Sequence, residues 1–346
     1  MTKDYTARLE NLLKRRHDDN LNKAILTESF SNPDISKSVK YVLEAMSEID
    51  PKYTQNTYLA ADGIKTNLTN GLKEKGLTVE YRYQGSVETN THIKIHSDID
   101  LLVFTEKFAT IEPPLVNIFP YEGDALIDLK NLRQDCYSIL NSIYRQVNNS
   151  NAKCIEVYPT NPKRQVDVVI CNWLNTLEAK NYNSEIYRGV RVYDKDKNDR
   201  TKDFPFLHIA KIKEKDKSVN LGLRKLTRLL KTLKADAELD GYAINLSSFE
   251  IISLVYAMSS EALFKLPNRQ LLLLEEGSKH LNKLIIDSNY RQNLLSPNGK
   301  EVIFGNSESK LVEIKKLKLE IDELIQDTTE ELNTKLKTFS EPIIYS

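Results

Sequence analysis

The stretch QGSVETNTHIKIHSDIDLLVF, residues 84 to 104, sets two carboxylates one residue apart in a run that otherwise reads as β-strand. Successive side chains of a strand alternate faces, so Asp98 and Asp100 point one way while Ile99 and Leu101 point the other. Like charges held that close are costly unless something positive lies between them. A divalent cation meets the need, because Mg²⁺ takes hard oxygen ligands and is shared between carboxylates and substrate phosphates. The plainer alternative is a solvent-facing edge strand whose acids keep it soluble.

The neighbours narrow the choice. Gly85 and Ser86 follow the strand-like run TVEYRYQ, where a glycine lets backbone N–H groups approach a phosphate and a serine adds a donor. Asp167 sits in RQVDVVI, apolar on both sides, and so needs a partner, either a salt bridge or a shared metal. Three carboxylates behind a Gly-Ser turn fit two-metal phosphoryl transfer, one ion activating an attacking hydroxyl and the other holding the triphosphate and its leaving pyrophosphate.

Such a site needs a local source of positive charge. The 346 residues carry 49 Lys+Arg against 49 Asp+Glu, so no net field draws the chain to nucleic acid or to an anionic membrane. Residues 211 to 234 nevertheless hold nine basic and two acidic side chains. Within them Leu223, Leu226, Leu230 and Leu233 make an apolar stripe, with Arg224, Arg228 and Lys231 on another face. An ordinary solvated helix face is the alternative. No signal-like or membrane-length apolar run is present, which predicts a cytoplasmic protein without a membrane partner. Cys136, Cys154 and Cys171 lack metal or disulfide spacing and are expected to be reduced and buried.

Periodicity predicts helices near 6 to 17, 35 to 48 and 55 to 75, the last closed by Gly76. Strand-like runs follow at 78 to 84, 97 to 104, 152 to 158, 164 to 172 and 188 to 193. One helix lies between them, striped by Leu129, Leu132, Cys136, Ile139, Ile143 and Val147. Helices return near 220 to 237, 246 to 260, 268 to 287 and 309 to 338. The pattern is an α+β fold, a mixed-sheet palm with N-terminal helices over 1–205 and a C-terminal helical lobe over 206–346. Trp173 reads as core, and the stripe of Leu311, Ile314, Leu317, Ile321 and Leu324 packs the last helix on the body.

Gly85-Ser86, then Asp98-Ile99-Asp100 and the later Asp167, resemble the DNA polymerase beta-type nucleotidyltransferase superfamily. Within it the pattern is most similar to the cGAS/DncV-like nucleotidyltransferases of bacterial anti-phage signalling, over roughly residues 55 to 260. Arg228-Leu229-Leu230-Lys231 and Ser247-Ser248-Phe249 match the family's basic helix and Ser-Ser-Tyr-like element. The resemblance implies a polymerase beta-like palm and a template-independent enzyme that joins NTPs, ATP among them, into a cyclic di- or trinucleotide second messenger for CBASS defence. It assigns two Mg²⁺ or Mn²⁺ ions to Asp98, Asp100 and Asp167, and the donor triphosphate to Gln84, Gly85, Ser86, Lys231 and Ser248. Phe249 stands where relatives have tyrosine, keeping a stacking face without the hydroxyl; Ser247 or Ser248 is also expected to cap a helix. LLSPNGKEVIF, at 294 to 304, reads as a turn and strand near the nucleotide pocket. His92 and His96 read as loop or substrate-periphery residues. The chain has neither a zinc insertion nor a polybasic tail to support DNA sensing, and a monomer is expected; some relatives use their C-termini as attachment points for regulatory proteins, and nothing in the tail SEPIIYS marks it as one. Two other readings stand beside this one: transfer to an RNA end, a protein or a small molecule, and a non-catalytic nucleotide-binding scaffold.

Overall fold

The computed structural model describes residues 3–17, 36–95 and 97–340; His96 and the tail beyond Ser340 lie outside them. In chain order the strands are β1 (Val79–Gln84), β2 (Ile99–Thr105), β3 (Thr110–Ile111), β4 (Val147–Asn148), β5 (Cys154–Val157), β6 (Val166–Asn175), β7 (Gly189–Asp194) and β8 (Asp199–Asp203). The helices are α1 (Tyr5–Arg16), α2 (Lys37–Met46), α3 (Pro51–Glu74), α4 (Ala125–Ile143), α5 (Leu177–Tyr182), α6 (Pro205–Ser218), α7 (Gly222–Leu239), α8 (Ser248–Tyr256), α9 (Ser260–Leu263), α10 (Leu272–Ile286), α11 (Ser288–Gln292) and α12 (Glu308–Ser340). Two compact units emerge. One is Asp50–His92 with His96–Lys213, and the other is Met1–Ile49 with Ile93–Ile95 and Glu214–Ser346.

The first unit is built on a mixed eight-stranded sheet of order β1-β2-β6-β5-β4, with β3 and β7 also on β6 and β8 on β7. β2 and β6 run parallel while β1 and β5 flank them antiparallel. One face carries Ile99, Leu101 and Val103 of β2 and Val166, Val168 and Ile170 of β6, covered by Ile64, Leu68 and Leu72 of α3 and Leu129, Cys136 and Leu140 of α4. Both helices start where the side chains of Asp50 and Asp124 accept backbone N–H bonds. Gly76, at φ +72°, closes the turn after α3 as expected. The other face holds Leu102, Phe104, Val169, Cys171 and Trp173, and the period of two puts Asp100 and Asp167 on this side. Trp173 is core, stacked on Phe104 with ring centroids 4.0 Å apart. All three cysteines are free and buried.

Some boundaries differ from the periodicity. α4 ends at Ile143, which is exposed, and Val147 belongs to β4, paired with Val157. The basic run spans two helices: α7 matches the helix expected near 220 to 237, while α6 is not marked by the periodicity, and Asn220 and Leu221, at positive φ, turn the chain between them. β8, with the charged sequence DRTKD, carries no strand signal and forms by pairing with β7.

In the helical unit, Leu9, Leu12, Leu13, Val42, Leu226, Leu230, Ile314, Leu317, Ile321 and Leu324 are buried. Polar groups are buried with them in pairs. Arg8 bridges Asp240 and Glu320, and Asp236 accepts from Tyr41 at 2.5 Å and pairs with Arg15 at 2.7 Å. The segment LLSPNGKEVIF closes with a single bridge between Leu295 and Val302 around Gly299, rather than a full strand. No helix among the described residues is long and apolar enough to cross a membrane.

At Gly222 two backbones meet: a Cβ there would lie 1.9 Å from the Leu263 carbonyl oxygen. Gly222→Ala is expected to cost about 3 kcal/mol, since neither backbone can step aside cheaply, and to lower the thermal midpoint by several degrees. An unchanged melt by circular dichroism would contradict the tight approach.

Candidate active site

Parallel register sets Asp100 directly beside Asp167, and antiparallel register sets Gln84 beside Asp100 and Glu156 beside Asp167. β2 begins at Ile99, so Asp98 stands one residue ahead of it and is exposed. Burial first, and then the neighbouring Asp167 carboxylate, push Asp100 up to about 7. Burial also raises Asp167, with Asp98 and Glu156 adding to the shift against the hydrogen bond from Gln165. Each of the two carboxylates is held by a neutral donor. Gln84 Nε2 donates to Asp100 Oδ2 at 3.2 Å, and Gln165 Nε2 donates to Asp167 Oδ1 at 2.9 Å.

These donors fit a hard cation. Among the described residues no Lys or Arg forms an ion pair with Asp98, Asp100 or Asp167, and no group of three His, Cys, Asp or Glu side chains stands close enough together to hold a metal ion as it is, so the acids would have to draw in around one. The raised carboxyls record burial first and neighbouring negative charge second, and a cation between them would relieve both. Gln84 Oε1 adds a buried acceptor without a hydrogen-bond partner among the described residues.

The Gly-Ser turn lies against the same acid. Gly85 has φ +99°, and a Cβ on it would come within 3.2 Å of Asp100 Oδ2, so both conformation and space call for glycine. The chain then coils on itself: Thr91 N–H donates to the Ser86 carbonyl at 2.9 Å and Asn90 N–H to the Val87 carbonyl at 3.0 Å. Among the described residues the N–H groups of Ser86, Val87 and Glu88 and the Ser86 hydroxyl make no hydrogen bond. Consecutive N–H groups of this kind form a concavity suited to an anion.

The remaining sequence-predicted residues lie in the helical unit. Lys231 is buried on α7, and Arg228 on the same helix donates Nε to the Met46 carbonyl at 2.9 Å. Ser247 is the cap of α8, in a reciprocal box with Glu250, which leaves Ser248 exposed at the first helical position and Phe249 half-buried. His92 lies in a loop, one of the two places expected for it, but it faces inward. It is buried, its Nε2 sharing a 3.1 Å hydrogen bond with Thr54 Oγ1 of α3. Sequence reasoning missed Asp203, a fourth acid whose charge raises Asp100, and Gln165, whose amide holds Asp167. Q-x-D spacing, which puts Gln165 on the face of Asp167, was a signal available in the sequence.

No family model matches the chain. It is 36% identical over 334 residues to a c-di-GMP synthase of Capnocytophaga granulosa, covering 88% of this chain and 92% of that protein. It is 32% identical over 312 residues to the cyclic dinucleotide synthase CdnE of Yersinia aleksiciae, covering 89% and 81%. Among solved structures, a STING-associated CdnE c-di-GMP synthase from Flavobacteriaceae sp. superposes with a TM-score of 0.82 at 26% identity, covering 96% of this chain and 100% of that one. The corresponding C. granulosa structure gives 0.79 at 33% identity, covering 95% and 100%.

Asp100 binds its proton more tightly in the folded chain, at about 7, than at its ordinary value of 3.8. Folding stability of the metal-free protein therefore falls as pH rises through that window, and the full penalty is present above it. Asp100→Asn, which keeps the shape without the charge, is expected to be more stable than wild type at pH 8 by roughly 2 kcal/mol, about half of what three pH units carry for a group with solvent access. The gain vanishes near pH 4, and added Mg²⁺ stabilises wild type alone. Melts across pH and metal concentration check all three outcomes. Gly85→Ala is expected to lower turnover about a hundredfold by displacing the turn, read by steady-state kinetics, and to lower the melting midpoint as well, because alanine is strained at φ +99°.

Proposed function

This chain belongs to the cGAS/DncV-like nucleotidyltransferases, enzymes that make cyclic nucleotide second messengers, and we propose that its product is c-di-GMP, formed from two GTP with release of two pyrophosphates. The base choice is supported by the three c-di-GMP synthases that match at 30% to 36% identity. The single observation that carries the chemistry is the in-register pair Asp100 and Asp167, two raised carboxyls side by side without a countercharge among the described residues.

Asp98, Asp100 and Asp167 would hold two Mg²⁺ or Mn²⁺ ions. When bound, these supply positive charge that favours the ionised acceptor hydroxyl and offsets charge on the leaving pyrophosphate. Asp167, its proton affinity raised by burial, would favour deprotonation of the acceptor hydroxyl. Gly85 and Ser86 present the N–H groups and hydroxyl of the turn to the donor triphosphate, and Gln84 orients Asp100 from the neighbouring strand. Lys231 and Ser248 keep the triphosphate-binding role that the resemblance implies, and Phe249 the base-stacking one.

Purified protein given all four NTPs with Mg²⁺ or Mn²⁺ is expected to consume GTP alone and to yield a phosphatase-resistant product with the mass of c-di-GMP. Asp98→Ala with Asp100→Ala is expected to yield none. A product containing another base would overturn the assignment of c-di-GMP. Equal synthesis by the double variant would overturn the role of the acids.

A further inference from the structure

Asp167 is fixed by neutral groups only. Gln165 Nε2 donates to its Oδ1 at 2.9 Å. The same device recurs on the next strand, where Gln84 donates to Asp100 across the β1–β2 pair. The two glutamines reach their acids by different routes, one along a strand at two-residue spacing and one across strands in register, and both end as an amide N–H on a single carboxylate oxygen.

The choice of donor has an electrostatic consequence. A lysine or arginine in place of either amide would hold the carboxylate equally well, but it would cancel the charge a metal ion needs and compete with the ion for the same oxygen. An amide fixes the orientation and leaves the charge. Without it the carboxylate turns freely about χ2, a broad torsion, and that freedom is lost each time an ion binds. Outer donors of this type change metal affinity by roughly 10- to 100-fold when removed.

We infer that Gln165 is a positioning residue for divalent-cation capture, orienting Asp167 by a neutral hydrogen bond as Gln84 orients Asp100. The inference rests on reading the three acids as the cation site. The groups it joins all lie within one unit, since Gln165, Asp167, Gln84 and Asp100 fall in Asp50–His92 and His96–Lys213.

Mn²⁺ titration of the nucleotide-free, full-length protein tests it, with free ion counted by electron paramagnetic resonance. Gln165→Leu is expected to raise the Mn²⁺ dissociation constant about tenfold, while the melting midpoint and the KM for GTP at saturating metal stay near wild type. Gln165→Lys is expected to melt at or above wild type and yet to bind Mn²⁺ at least as weakly as the leucine variant. A purely structural glutamine would give wild-type Mn²⁺ binding in the lysine variant. Mn²⁺ affinity within twofold of wild type in both variants overturns the inference, as does a loss that follows the melting midpoint. Asp167→Asn separates the premise: if it binds Mn²⁺ as wild type does, the cation-site reading falls and the role of Gln165 with it. If Asp167→Asn loses the ion and Gln165→Leu keeps it, only the role of Gln165 falls.

Discussion

The parallel pairing of β2 with β6 is the constraint on which the site depends. It forces Asp100 and Asp167 side by side, where two carboxylates repel by about 1 kcal/mol in water and by about 4 kcal/mol in the screened interior of a protein. On the opposite face the same strands bury Ile99, Leu101, Val103, Val166, Val168 and Ile170 completely. At 1.5–3 kcal/mol for each such side chain, this burial is worth on the order of 10 kcal/mol. The apolar face therefore wins, and the acids are held in a geometry they would not choose. The sheet is a spring kept compressed by its own core, and a divalent cation held between the acids would relax it.

Much of this was legible in the sequence because it is local. D-x-D declares a shared face, Gly-Ser after an apolar-polar strand declares a turn, and the lone aspartate in VDVVI declares a buried charge in need of a partner. The helices α1 to α4 were readable from their stripes. What could not be read depends on which strand lies next to which. DRTKD becomes β8 only by pairing with β7, and Asp203 matters only because the fold carries it near Asp100. Nothing in the surroundings of His92 says that it turns inward to Thr54 instead of outward. Val147 continues a helical stripe in sequence, yet pairing with Val157 draws it into β4.

The basic helix shows the limit of charge counting. Arg224 pairs with Asp216, and Arg228 is buried with its Nε on a backbone carbonyl, so much of the positive patch is committed to the unit that contains it. Burial lowers the Arg228 guanidinium to about 10, yet still leaves it charged at neutral pH. Arg8, Arg15, Tyr41 and Asp236 form a further buried polar cluster in the same unit. Buried pairs of this kind contribute little net stability but are expensive to break singly, which ties α1, α2, α7 and α12 to one arrangement.

β6 is bonded along both edges where Asp167 sits, to β2 on one side and β5 on the other, whereas the turn after Gly85 leaves successive amides without acceptors among the described residues. Amide hydrogens of the first kind exchange with solvent only when the whole sheet opens, and those of the second exchange almost as in a free peptide. The candidate site thus joins a slow half to a fast half. On the proposed reading the acids would keep their spacing between turnovers, while the turn would be free to settle around each incoming nucleotide and to let its product go.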